Sequence, residues 1–158
     1  QALHALSRNY KIPVVVSTHP RTKKRIDENP GLVREGGDIR FLKPFGFHDY
    51  NKLQCDCFCA LSDSGTISEE ASMLGFPAVT IRNSIERPEA LDTGSIAITG
   101  LETDSILRCV TLVCDAHRDG IRATRPADYS IEDVSERVVR LIAGTAGLSN
   151  RWHGISNS

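Results

Sequence analysis

Membrane-length apolar runs are missing from this chain: no stretch approaches the roughly 18 to 20 residues that cross a bilayer. A basic excess is missing too. Lys and Arg total 19 against 20 Asp and Glu, for a net charge of -1, so the electrostatic footprint of a nucleic-acid binder is absent. No charged-then-apolar opening of the secretory kind is visible. The cysteines (Cys55, Cys57, Cys59, Cys109 and Cys114) are odd in number, which together with that opening points to reduced thiols in a cytoplasm. Neither a Gly-x-Gly-x-x-Gly fingerprint nor a Gly-Lys-Ser/Thr triplet occurs, which disfavours the usual dinucleotide and ATP sites. Methionine is almost lacking, Met73 being the only one. The opening Gln1-Ala2-Leu3-His4-Ala5-Leu6 has the apolar spacing of a helix already under way. The sequence therefore reads as a piece of a longer protein.

What is present is enough for one globular domain. Of 158 residues, 40% are hydrophobic and 25% charged, a balance that supports a sizeable core rather than disorder. Short apolar runs alternate with helical stretches. Residues 1 to 10 read as a helix, and Pro13 to Ser17 as a buried β-branched strand. His19 to Glu28 reads as a loop and short helix, with turn punctuation at Asn29-Pro30-Gly31 and Gly36-Gly37. Ile39 to Leu42 is a second strand. Phe47 to Gln54 is a short helix with Phe47, Tyr50, Asn51 and Gln54 on one side. Cys57 to Leu61 is a third strand, and the period of two across Cys55, Cys57 and Cys59 suits one strand face better than a metal site. A helix from Gly65 to Leu74 ends at Gly75. Strands follow at Ala78 to Ile81 and Ser95 to Thr99, separated by a polar loop from Arg82 to Gly94. Helices follow at Thr103 to His117 and at Ile131 to Ile142, the last with Ile131, Val134, Val138 and Leu141 inward. The expected domain is residues 1–143, with a polar tail over 144–158.

Such alternation implies right-handed crossovers and an α/β, Rossmann-like parallel sheet flanked by helices. Ligands of these sheets sit beyond the carboxyl ends of the strands, so the chemistry belongs in the loops that follow them. After the first strand come His19, Pro20 and Arg21. Histidine donates to phosphate or carries a proton near neutral pH, and arginine offers a planar fork for phosphate. After the third strand comes Ser62-Asp63-Ser64-Gly65-Thr66, opening straight into a helix. A helix N-terminus presents unpaired N–H groups to an anion, Gly65 permits close approach, and Ser64 and Thr66 add hydroxyls. Thr66-Ile67-Ser68-Glu69 also fits a capping box. On a wheel set at Ile67, Ala71 and Leu74 return within about 40°, Glu70 lies about 60° away, and Glu69 falls on the solvent side. Glu70 thus sits at the edge of the buried stripe and needs a partner: a ribose diol or a nearby arginine. After the fourth strand, Arg82 and Arg87 could clamp a diphosphate, or pair with Glu86 and Glu89 on the surface. Tyr50 could stack on a base or pack in the core.

In order, these residues form a pattern: His19-Pro20-Arg21, then Phe45 to Leu53, then Ser62 through Glu70, then Gly75-Phe76-Pro77, Arg82 and Glu86-Arg87-Pro88-Glu89. From about residue 11 to 143 the sequence resembles the C-terminal half of the bacterial non-hydrolysing UDP-N-acetylglucosamine 2-epimerases. Leu42 through Leu53 and the Ser-Asp-Ser-Gly-Thr variant resemble a capsule and O-antigen branch that forms UDP-N-acetyl-L-fucosamine. The resemblance implies a two-domain GT-B architecture with the nucleotide sugar between the halves. It implies His19 at the diphosphate and active site, and Ser64, Gly65 and Thr66 in the phosphate turn. Glu70 would hold the ribose and Tyr50 lie near the uracil, with Arg87 near the phosphates and Glu86 supporting its loop. UDP would be eliminated across C1 and C2, leaving a 2-acetamidoglycal, and returned after C2 is reprotonated from the other face. The carboxylate bases of that scheme lie on the N-terminal half. No cofactor and no metal are implied; the expected partners are a UDP-N-acetylhexosamine, the missing N-terminal half and a second copy of the full-length chain. One departure is Thr66, where the family pattern more often has glycine; Thr66 must keep φ negative. Three other readings stay open at this point: a GT-B glycosyltransferase, a hydrolysing epimerase and a nucleotide-sensing module.

Overall fold

The computed structural model describes residues 1–32 and 37–154, so the turn expected at Gly36 lies outside the described residues. The chain divides into two compact units, 1–126 and 127–158.

The first unit alternates helices and strands in the order α1 (Ala2–Tyr10), β1 (Val14–Ser17), α2 (Pro20–Glu28), a 3-10 turn (Pro30–Leu32), β2 (Ile39–Leu42), α3 (Phe47–Asp56), β3 (Ala60–Ser62), α4 (Ile67–Leu74), β4 (Ala78–Thr80), α5 (Pro88–Asp92), β5 (Ala97–Ile98) and α6 (Thr103–Arg118). Every strand pairing is parallel, with Val14 opposite Ile39, Ala60 opposite Ala78 and Val79 opposite Ala97. The expected single sheet is instead a pair and a triplet, ordered β1-β2 and β3-β4-β5. β1 and β3 each keep an edge without a strand partner among the described residues.

The core gathers around β4. Val79 is 0% exposed and packs with Leu6 of α1 and with Ile106, Val110 and Cys114 of α6. Those three α6 residues recur at four-residue spacing, the stripe that buries one face of a helix. Successive strand side chains alternate sides, so Ala78 and Thr80 turn the other way, toward α4, which packs on β4 through buried Ile67, Ser68 and Ala71. α4 stops at Gly75, whose φ of 76° is the left-handed cap and whose N–H donates to the Ala71 carbonyl at 2.8 Å.

Several expectations are corrected. The helix α3 runs on to Asp56, held by a Lys52–Asp56 pair one turn apart, and strand β3 begins only at Ala60. Cys55 is therefore helical, Cys57 caps the helix, and the three thiols share no strand face. Gln54 is buried as its side of α3 requires, but Phe47 is 77% exposed at the first helical position. The loop after β4 contains α5, which starts on Pro88 at the position where proline's missing N–H and fixed φ are tolerated.

The second unit holds a 3-10 turn (Ala127–Ser130), α7 (Val134–Thr145) and α8 (Ser149–Trp152). The residues expected to face inward, Ile131, Val134, Val138 and Leu141, are exposed. No helix among the described residues is long and apolar enough to cross a membrane.

Candidate functional site

The cleft is built by two loops at the carboxyl ends of neighbouring strands. After β3, the chain is turned by its own hydroxyls. The Ser64 N–H donates to Ser62 Oγ at 3.0 Å, the Thr66 N–H donates to Ser64 Oγ at 3.4 Å, and the Ser64 and Thr66 hydroxyls bond each other at 3.0 Å. These bonds aim the turn into α4. Thr66 has φ −69° and ψ −13°, so it meets the requirement for negative φ. That helical conformation also prevents the expected capping box, because a capping residue needs extended backbone. Thr66 makes no side-chain cap, and Glu69 turns elsewhere.

Glu69 pairs with Arg87. The Arg87 Nε–H donates to Glu69 Oε1 across 18 residues of sequence, and both side chains are about 30% exposed, at 31% and 29%. The wheel expectation that Glu69 faces solvent is thus overturned: a partner from the next loop draws it in. Its Oε2 is buried without a hydrogen-bond partner among the described residues. Arg87 Nη1 also lies 4.0 Å from Glu86 Oε2, and the Arg82 guanidinium donates to Glu86 Oε1 at 2.8 Å. Glu86 thereby holds both arginines in the cleft that Ser64, Gly65, Ser68 and Thr80 complete. The cleft is narrow and open to solvent, well short of the roughly 300–1,000 Å³ of a pocket for a whole small molecule. Glu69 takes the Arg87 Nε–H.

Glu70, one residue on, faces α3. Its Oε2 accepts a 2.6 Å hydrogen bond from Gln54 Nε2. Its partner is thus a buried amide, not an arginine. Tyr50 stands one turn before Gln54 on the same helix. Burial pushes its phenol above the usual value, and the nearby Glu70 charge adds to the rise, so the hydroxyl keeps its proton. Tyr50 and Glu70 are therefore neighbours, as a base-and-ribose pocket would need.

His19 caps α2: its Nδ1 accepts the Arg21 N–H at 3.2 Å. In a neutral ring that leaves the proton on Nε2, a donor. Both His19 and Arg21 are exposed. The structure thus brings together Ser64, Gly65, Thr66, Glu86 and Arg87 and joins Glu70 to the Tyr50 helix, while the His19 ring is engaged in capping its own helix. Residue reasoning passed over Gln54 and Glu69 as site residues. The i, i+4 spacing of Tyr50 and Gln54 was the available signal for the first, and the acidic doublet in a helix's first turn for the second.

The fold is a Rossmann-like α/β domain with a cleft of arginine, glutamate and hydroxyl side chains at its strand ends, and it has the parallel sheets and flanking helices of GT-B proteins. The family model for UDP-N-acetylglucosamine 2-epimerase matches residues 1–143, and the chain belongs to that family. It is 32% identical over 120 residues to the UDP-N-acetylglucosamine 2-epimerase of Methanococcus maripaludis, covering 74% of this chain and 32% of that one. A solved UDP-N-acetylglucosamine 2-epimerase from Rickettsia bellii superposes with a TM-score of 0.83 at 38% identity, covering 95% of this chain and 41% of the other. The Methanocaldococcus jannaschii enzyme, solved in complex with UDP-GlcNAc and UDP, gives a TM-score of 0.79 at 26% identity, over 90% and 38% of the two chains. The chain thus spans about a third of these curated relatives and about two fifths of the solved ones.

Proposed function

We propose that this chain is the UDP-holding part of a UDP-N-acetyl-sugar 2-epimerase, the C-terminal half of a two-domain GT-B protein that inverts C2 by eliminating UDP and adding it back. The observation that carries this reading is the Arg87–Glu69 pair laid across Gly65 at the start of α4. It collects a guanidinium, hydroxyls and a helix N-terminus where a diphosphate would leave and return.

Each residue then has a role. Ser64, Gly65 and Thr66 hold phosphate oxygens, Arg87 neutralises them, and Glu86 keeps Arg87 and Arg82 in place. His19 Nε2–H and Arg21 approach the diphosphate when the whole site assembles. Glu70 accepts from the ribose hydroxyls and Tyr50 packs near the uracil. When a base removes the C2 proton, the C1–O bond breaks, its electron pair leaves with UDP, and a C1=C2 double bond remains in the sugar. The charge gathering on the departing diphosphate is what the cleft's donors stabilise. Protonation of C2 from the opposite face and return of UDP to C1 restore the bond with inverted C2. The carboxylate bases come from the other half of the protein, and the scheme draws on no cofactor.

The strand order also suits a doubly wound nucleotide-binding sheet. The order β2-β1 and β3-β4-β5 becomes the doubly wound order 3-2-1-4-5-6 when one strand stands between β1 and β3. Solved relatives from Methanocaldococcus jannaschii and Neisseria meningitidis hold UDP-GlcNAc, which supports the substrate class. Within that class the sequence resembles most the capsule and O-antigen branch that forms UDP-N-acetyl-L-fucosamine, and the proposed full-length protein acts in the cytoplasm as a homodimer. The test is C2 proton exchange in deuterated water by the full-length protein. Exchange without an acceptor sugar is expected; transfer to an acceptor without exchange overturns the reading. The 158-residue chain alone is expected to bind UDP weakly and turn nothing over.

A further inference from the structure

Gln54 lies on the inner face of α3, 4% exposed, with its Nε2 2.6 Å from Glu70 Oε2. An ionised carboxylate only accepts hydrogen bonds, so the contact fixes which end of the amide faces Glu70. The other end, Oε1, is buried with no hydrogen-bond partner among the described residues. A glutamine buried with one end of its amide unpaired is costly to a fold. Core packing alone would be served better by leucine or methionine. The contact it does make therefore has to matter for something other than packing.

Glu70 is half-buried, and the hydrogen bond its side chain makes among the described residues is the one from Gln54 to Oε2. We infer that Gln54 is a positioning residue for ribose recognition: its amide pins one Glu70 oxygen so that the other is presented to the sugar hydroxyls of a nucleoside diphosphate. This rests on the reading of Glu70 given under Proposed function and adds the device that orients it. Helix geometry makes the device coherent. Residues four apart share a face, so α3 carries Tyr50 and Gln54 together, and one rigid element fixes both an aromatic surface for the base and the carboxylate for the adjoining ribose. A carboxylate left to rotate about its side-chain torsions would have to be ordered by the ligand, at the ligand's expense in affinity.

Positioning differs from packing in what it predicts. In the full-length protein, binding of UDP, 2′,3′-dideoxy-UDP and inorganic pyrophosphate is measured by calorimetry for the wild type, Gln54→Leu and Glu70→Gln. The wild type is expected to prefer UDP over the dideoxy analogue by about tenfold or more, the scale of a charge-assisted hydrogen bond. Gln54→Leu should lose most of that preference while holding pyrophosphate unchanged. A merely structural role would weaken all three ligands together, and that result overturns the inference, as does a preference retained in full. If Glu70→Gln keeps the wild-type preference, the ribose reading of Glu70 fails as well; if Glu70→Gln loses it and Gln54→Leu does not, only the role of Gln54 fails. Gln54→Met, unbranched and of similar length, gives the same readout should the leucine variant not fold.

Discussion

The Arg87 guanidinium lies over Gly65 so closely that a Cβ on Gly65 would stand 2.5 Å from Nη1. Gly65 is not among the residues with positive φ, so this glycine is needed for space and not for a backbone angle. In Gly65→Ala the arginine, held by Glu69 and Glu86, must give way. The fold should survive, because the atom displaced is the tip of a flexible side chain. UDP affinity should fall about tenfold or more, the loss expected when a charge-assisted contact is misplaced. Calorimetry of the full-length variant with an unchanged melting temperature checks this; wild-type affinity would separate Arg87 from the phosphate site.

Arg87→Ala and Glu70→Ala should each lower UDP affinity by about 1.5 to 3 kcal/mol. Their stability costs should differ. Removing Arg87 leaves Glu69, 29% exposed, within reach of water, whereas removing Glu70 leaves Gln54, 4% exposed, with neither end of its amide paired. Urea unfolding should therefore show Glu70→Ala as the less stable of the two. Unchanged affinity in both variants would remove the site from this cleft.

How far the residues alone lead is clearest element by element. β2 at Ile39–Leu42 and the helix α6 over Thr103–Arg118 were legible because each is a local apolar pattern bounded by turn residues. The strand-end loops were legible as a site because parallel topology puts them there. The cysteine alternation was misleading, since over five residues a period of two cannot be told from the end of a helix; burial of Gln54 and the Lys52–Asp56 pair carry α3 past it. Glu69 was misplaced for another reason. A helical wheel measures only the direction to the core, and the Arg87 that claims Glu69 arrives from a different loop. The split between β1 and β3 is likewise invisible to local pattern, being a matter of which strands meet.

Burial pushes the Cys57 thiol up from 9.0 to about 11. Only the thiolate alkylates, so near pH 8 its reactive fraction should be about 100-fold smaller in the folded chain than in an unfolded one. Raising the pH from 9 toward 11 should bring the reactivity up steeply. Cys59 should lag as well, its thiol held up by the hydrogen-bonded contact with Cys114 and by burial. Iodoacetamide labelling followed by peptide mass spectrometry, with and without urea, reads both. Equal labelling of Cys57 in the two conditions would contradict its burial.

Ile67 separates the stability of the site's scaffold from its chemistry. It is the first residue of α4, two positions after Gly65, and is 1% exposed. Ile67→Ala removes three buried carbons and leaves a cavity, at a cost of about 2 to 5 kcal/mol. The turn above is closed by hydroxyls of Ser62 and Ser64 rather than by Ile67. The folded fraction of the variant should therefore bind UDP within about threefold of wild type, a difference of roughly 0.7 kcal/mol. Gly65→Ala should show the opposite pair of effects, weak binding on an intact fold. Urea midpoints and calorimetric affinities measured on the two variants side by side decide it. A loss of affinity in Ile67→Ala as large as in Gly65→Ala would mean that the turn depends on the core beneath it and not on its own hydroxyl bonds.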